Sequence, residues 1–237
     1  MISTDKWVYI HVPKTAGTYV ENLFLKHYDL MVEDEIHTTV YDIKDKKDKF
    51  IFGFVRNPYS SEWSLWNYCH RSWGIFKDFD EWCAFRFGGK REEGYEKYEH
   101  LPVHMHDGSR EGSKMQLDYC YDLFIRSQAG YFCDENQKCI ASQIYRFEEL
   151  RESWNDIQKR IDVDIQMNFD DSVYQSSDYK EVYTDYSYDL ITQYKARDLE
   201  VFGYDFDGYK GDIPLDFSVD FVGTDYAYKG INGKRNP

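Results

Sequence analysis

The feature that most constrains the fold is a run of six residues, FIFGFV, at positions 50–55. None of the six is polar, so the run has no polar side to turn toward water. A strand of this kind is covered on both faces, which is typical of the centre of a parallel sheet. Residues 7–12, which begin WVYI, form a second apolar run and are predicted to be another buried strand.

Helix-like segments alternate with these strands along the chain. Apolar residues recur with helical spacing over residues 18–28, and Pro58 is placed to open a helix that continues through Tyr68. Further helices are predicted at 77–87, 147–161 and 183–202, the last ending at Gly203, and a further strand at 139–147. The alternation predicts an α/β fold with a central, mainly parallel β-sheet flanked by helices. We predict one domain over residues 1–210, followed by a tail or edge-covering segment over residues 211–237.

Charge and cysteine usage narrow the class of protein. The formal net charge of −14 argues against generic nucleic-acid binding, because contacts to phosphates need clustered lysine and arginine. No signal-peptide pattern precedes Trp7 and no apolar run is long enough to span a bilayer, so we expect a cytoplasmic protein. The five cysteines are expected to be reduced thiols, with a Cys133–Cys139 pair as the alternative, and their spacing predicts no metal site.

A polar segment, PKTAGT at residues 13–18, lies at the turn between the first long strand and the first helix. Helix N-termini present unpaired N–H groups and a positive dipole end, which suits an anion. Gly17 permits close approach of the backbone, Lys14 supplies a charge, and threonine hydroxyls add donors. An ordinary surface turn that contains a lysine is the alternative interpretation.

A second segment, VRNPYSSEWS, covers residues 55–64. Arg56 lies at the carboxyl end of the predicted central strand, where α/β proteins place their ligands. Ser64 follows about two helical turns later, so that its hydroxyl faces the start of the helix. An arginine and a serine in this arrangement suit a phosphate monoester. The alternative is that Arg56 pairs with a carboxylate of this acidic chain.

A lone histidine, His37, lies between these two segments in the sequence EIHTT. A histidine has an unperturbed pKa near 6.5 and is suited to act as a general base. The acidic residues that precede it favour a second interpretation, an exposed loop histidine.

Taken together, the ordered pieces resemble the sulfotransferases that use 3′-phosphoadenosine 5′-phosphosulfate (PAPS). The resemblance is closest to the carbohydrate branch that includes the uronyl 2-O-sulfotransferases and their bacterial and viral relatives. It rests on PKTAGT, the histidine, FGFVRNPYSSEWS, IYRFEEL at 144–150 and ITQYKARDLEVFGYDF at 191–206. It spans roughly residues 7–206 and is weakest over 70–138. It implies a P-loop-type fold of three layers.

The resemblance also implies a role for each candidate site residue. Lys14 would contact the sulfonate and the bridging oxygen, and His37 would be the catalytic base. Arg56 and Ser64 would bind the 3′-phosphate, and Tyr19 would stack on the adenine. The residues implied around the 5′-phosphate are Thr15, Ala16, Gly17 and Thr18. Adenosine 3′,5′-bisphosphate would be the product, and no metal is implied.

The implied reaction is in-line transfer of the sulfonate from PAPS to a hydroxyl group, with a glycan as the expected acceptor. Two other classes stay open at this point. One is a P-loop nucleotide kinase or NTPase, although the chain has no GxxxxGK[ST] motif. The other is a non-catalytic binding module on the same fold. The sequence indicates no oligomeric state.

Overall fold

In a computed structural model, residues 1–27, 39–40, 43, 46–73, 76–89, 127–167 and 179–219 are described, with 71–73 described by their backbone only. The chain divides into two compact units. The first consists of residues 1–57, 128–176 and 200–220, and the second of residues 58–127, 177–199 and 221–237.

The strands and α-helices of the described residues are, in chain order, β1 (Ile2–Ser3), β2 (Trp7–Ile10), α1 (Gly17–His27), β3 (Phe50–Val55), α2 (Pro58–Trp73), α3 (Phe79–Arg86), β4 (Gln143–Arg146), α4 (Leu150–Ile161), α5 (Asp185–Tyr194), α6 (Ala196–Phe202), β5 (Tyr204–Asp205) and β6 (Gly208–Tyr209). Single 3₁₀ turns are found at Ala129–Phe132, Phe147–Glu149 and Tyr179–Val182.

The first unit contains a four-stranded sheet in the order β1-β2-β3-β4. The three long strands are parallel, and β1 pairs with β2 in the antiparallel direction. FIFGFV is the central strand, as its sequence predicts, because it pairs with β2 on one side and with β4 on the other. The α/β fold with a mainly parallel sheet is therefore confirmed. The strand β1 was not predicted because only two residues pair, too few for any periodicity.

An aromatic core covers one face of this sheet. Helices α1 and α4 contribute apolar side chains to it, and the strands contribute every second residue. Its buried aromatic members include Trp7, Tyr9, Phe24, Phe52, Phe54 and Trp154. Burying one such side chain stabilises the fold by about 1.5–3 kcal/mol. On the other face, a Cβ at Gly53 would lie 2.9 Å from the Phe132 ring, so β3 is closely covered there as well.

The segment that precedes β4 forms short pairings within the first unit. Cys133 and Cys139 face each other in an isolated antiparallel bridge, but they do not form a disulfide with each other. Cys139 donates its backbone N–H to Phe217, and Val219 donates to Gln137. The described beginning of the predicted tail thus pairs with residues 137–139.

The described part of the second unit is helical. Helix α5 begins at a capping box, in which Thr184 and Ser187 exchange hydrogen bonds between side chain and backbone. One continuous helix is predicted over 183–202, but the structure has two, separated at Lys195. The break accompanies the burial of Lys195, whose ammonium lies 3.4 Å from the Glu62 carboxylate. The second helix ends before Gly203, which has a φ of 66°.

Over the described residues, none of the helices combines the length and the apolar character needed to cross a bilayer.

Candidate anion-binding site

The candidate site lies in the first unit, at the carboxyl ends of the parallel strands. The PKTAGT loop follows β2 and leads into α1, and Arg56 directly follows β3. Because β2 and β3 are neighbours in the sheet, the two segments reach the same edge. This is the edge at which α/β sheets bind ligands.

The loop backbone has a conformation that suits an anion. Lys14 and Ala16 both have left-handed backbones, with φ of 62° and 61°. Thr15 is fully buried, and its hydroxyl donates to the Val12 carbonyl at 2.7 Å. Among the described residues, the backbone N–H groups of Ala16, Gly17 and Thr18 have no hydrogen-bond acceptor. Successive N–H groups beside a left-handed residue form a concavity that binds anions.

Gly17 has no room for a side chain. A Cβ at this position would lie 1.8 Å from Cδ2 and 2.0 Å from Nε2 of His11. His11 is the residue after β2 and is only 3% exposed, so its imidazole packs directly on the first turn of α1. The close contact with the His11 ring therefore requires a glycine at position 17.

His11 is itself held by a carboxylate. Its Nδ1 lies 2.9 Å from Oε2 of Glu21, one turn into α1, while Oε1 of Glu21 accepts from the Met1 ammonium at 2.6 Å. Burial alone would raise the pKa of Glu21, but the hydrogen bonds and charges of His11 and the ammonium group outweigh it and lower that pKa to about 2. The ionised form of Glu21 therefore stabilises the contact between β2 and α1.

This depressed pKa predicts a loss of stability in acid. A carboxylate with a lowered folded pKa stabilises the fold above its unfolded value of 4.5, and the contribution disappears as the pH falls toward about 2. We expect Glu21→Gln to lower the free energy of unfolding at neutral pH by roughly 2 kcal/mol, once solvent screening is allowed for. Urea denaturation of both proteins across this pH window measures the difference, which should shrink toward pH 2. A difference that is independent of pH would contradict the role of Glu21.

Arg56 joins the loop to β3. Its Nη1 donates to the Lys14 carbonyl at 3.1 Å, and its guanidinium carbon lies 4.5 Å from the centre of the Phe147 ring. The side chain is buried, with 7% of the residue exposed. The structure thus brings together two segments that the sequence placed 42 residues apart.

The other predicted residues have different positions. Ser64 is half-buried in α2, in the second unit. Thr18 is exposed at the start of α1, and Tyr19 is half-buried against the aromatic core, where burial raises its pKa. His37 lies outside the described residues.

Sequence reasoning missed the polar groups behind Arg56. The side chain of Gln128 pairs with the Arg56 backbone, and Glu148 accepts from the Asn57 N–H. Asn57 and Glu148 lie within the RNP and RFEEL segments, on which the family resemblance rests, so the sequence could have pointed to them. Gln128 lies at the end of a stretch without a recognisable pattern, and nothing in the sequence pointed to it.

In the described part of the chain, no group of three or more histidine, cysteine or acidic side chains is arranged to hold a metal ion. The chain was also compared with protein-family models, with curated proteins and with solved structures. No match was found in any of the three comparisons.

Proposed function

We propose that the protein is a PAPS-dependent sulfotransferase that acts on a hydroxyl group. The observation that carries the proposal is the hydrogen bond from Arg56 to the Lys14 carbonyl, which joins two cationic segments at one edge of a parallel sheet. In the same loop, three backbone N–H groups have no acceptor among the residues that the structure describes. Two cations and several donors fit a ligand that carries two anionic groups.

PAPS supplies the sulfonate and a leaving 5′-phosphate when it is bound. In that reaction Lys14 and the N–H groups of Ala16 and Gly17 would stabilise negative charge that develops at the leaving oxygen. The left-handed backbones of Lys14 and Ala16 belong to the concavity of N–H groups in which such an anion would bind. Arg56 would hold a second anionic group with its planar fork. The roles of His37 and Ser64 stay predictions from the sequence.

We further propose a neutral or weakly charged glycan as the acceptor. The sequence resemblance supports a carbohydrate, and the net charge of −14 opposes the approach of a long polyanion. A hydroxyl acceptor must lose its proton as the new S–O bond forms, so a base is needed beside the loop. His37 is the candidate for that base.

The anion site is tested by titrating the protein with adenosine 3′,5′-bisphosphate in a calorimeter. We expect Arg56→Lys to weaken binding about 10- to 100-fold, because a lysine keeps the charge but loses the bidentate fork. Arg160→Lys is the matched control. This arginine lies in α4 of the same unit and pairs with Asp156 at the surface, so the same exchange should leave the affinity unchanged.

Two outcomes would contradict the proposal. If the unaltered protein binds ATP with magnesium but not the bisphosphate, a kinase or NTPase takes its place. If the bisphosphate binds but labelled sulfonate is never transferred to a panel of neutral glycans and other hydroxyl compounds, the protein is a binding module.

A further inference from the structure

Arg56 lies one residue beyond the end of β3, and the ladder between the described strands β3 and β4 does not extend to it. The last ladder pair of β3 is Val55 with Arg146. Residue 58 is a proline, which has no N–H and restricts the backbone of the residue before it. The direction of the Arg56 side chain therefore depends on what holds its own peptide groups, besides the contacts of its guanidinium with the Lys14 carbonyl and the Phe147 ring.

Gln128 holds both of them. Its Oε1 accepts from the Arg56 backbone N–H at 2.8 Å, and its Nε2 donates to the Arg56 carbonyl at 2.7 Å. The side-chain amide thus takes the place of a neighbouring strand at a single residue. Gln128 is only 7% exposed, so these two hydrogen bonds are made away from bulk water. A buried backbone group that loses its partner is left with the full cost of desolvation.

The next residue is held in the same way by groups from distant parts of the chain. The Asn57 N–H donates to Oε1 of Glu148 at 2.8 Å, and Oε2 of Glu148 accepts from the Tyr204 hydroxyl at 2.8 Å. Burial, followed by the charge of Glu148, raises the pKa of Tyr204, so the phenol keeps the proton that it donates. The Asn57 side chain donates to the carbonyl of Asp205 at 2.8 Å. Side chains therefore hold both the carbonyl and the N–H of the Arg56–Asn57 peptide.

We propose that Gln128 is a positioning residue of the anion site, which aims the Arg56 guanidinium at the PKTAGT loop. The proposal rests on the proposed function, since it assumes that Arg56 binds an anionic group of the ligand. Gln128 acts through the peptide groups of Arg56 and has no contact of its own with the ligand in this scheme. Loss of its amide would let the arginine swing while the sheet around it stays folded.

The experiment compares Gln128→Leu with Gln143→Leu by titration with adenosine 3′,5′-bisphosphate. Gln143 is a half-buried glutamine on β4 of the same unit, with one long hydrogen bond of 3.3 Å to Ile144. We expect Gln128→Leu to weaken binding about 10-fold or more, as misplacement of a binding group by a fraction of an ångström does. Gln143→Leu should bind as the unaltered protein does. A purely structural role would lower the melting temperature but leave the affinity of the folded protein unchanged.

A second variant, Gln128→Glu, tests the hydrogen bonds without removing the side chain. An ionised glutamate accepts from the Arg56 N–H but has no proton for the carbonyl, whereas a protonated one reproduces both hydrogen bonds of the amide. Burial raises the pKa of such a carboxyl group, so protonation comes within reach of mild acid. We expect its affinity relative to the unaltered protein to be low at about pH 8 and to recover toward about pH 5.5.

The outcomes separate the two proposals. Failure of the unaltered protein to bind the bisphosphate overturns the proposed function. If the unaltered protein binds and Gln128→Leu binds within twofold of it, the positioning role is wrong. A Gln128→Glu variant whose relative affinity does not change with pH overturns the role even if Gln128→Leu fails to fold.

Discussion

Replacing Gly17 with alanine is expected to weaken bisphosphate binding about 100-fold and to lower the free energy of unfolding by about 3 kcal/mol. The added methyl carbon would lie 1.8 Å from the His11 ring, far closer than non-bonded carbon atoms approach. The ring cannot withdraw without leaving Glu21, which lies 2.9 Å from it. Alanine favours a helix over glycine by only about 0.5–1 kcal/mol, so the clash outweighs that gain.

The source of this effect can be isolated with a double variant. His11→Ala combined with Gly17→Ala makes room for the methyl group, and we expect a coupling energy of about 1–3 kcal/mol between the two changes. Gly208→Ala is the control in the same unit, because nothing lies within 4 Å of a Cβ there. Calorimetric titration and urea denaturation measure the two effects. A Gly17→Ala protein with unaltered affinity and stability would refute the close contact.

The second large effect is expected in the second unit, where Glu62 lies between two cations. Its Oε1 is 3.1 Å from Nη2 of Arg86 and 3.4 Å from Nζ of Lys195. All three residues are at most 5% exposed. Glu62→Gln removes the only negative charge of this trio, and we expect it to destabilise the fold by about 3–5 kcal/mol. Arg86→Met should cost less, because it leaves one carboxylate opposite one ammonium group.

Urea denaturation of the two variants measures which of them loses more of the free energy of unfolding. Glu135→Gln serves as the control, since Glu135 also pairs with a lysine, Lys46 at 2.9 Å, but is 59% exposed. Its free energy of unfolding should hardly change, because surface ion pairs are weakened by solvent. If Arg86→Met proves more damaging than Glu62→Gln, the balance of charge does not explain the stability of this cluster.

The parts of the fold that could be predicted from sequence are those determined by local patterns. FIFGFV needs no partner to be recognised as a strand covered on both faces, and its predicted bounds, 50–55, match the structure. The PKTAGT loop could be placed at a turn between strand and helix because apolar periodicity changes on either side of it. The position of Arg56 at the end of β3 followed from the same pattern.

What could not be predicted depends on contacts between distant residues. Gln128 is 72 residues from Arg56, and only the folded chain brings its amide to that backbone. The break in the predicted helix coincides with the buried ion pair of Lys195 and Glu62 of α2, and the helical periodicity of residues 183–202 gives no sign of that distant partner. The sequence places His11 at the end of an apolar strand. Its close contact with Gly17 could not be predicted, because that contact depends on where the His11 ring lies in the folded chain. The predicted base, His37, lies outside the described residues and stays a prediction.

The division of the chain into two units has a consequence for the design of a shorter version of the protein. The sheet-bearing unit is assembled from three separate stretches of sequence, and the other unit consists of the two intervals between them and residues 221–237. Gln128, which pairs with the Arg56 backbone, belongs to the second stretch, and Asp205, which receives the Asn57 side chain, belongs to the third. No single truncation point can therefore release the anion site as a separate fragment. A minimal version must join three pieces with two new linkers.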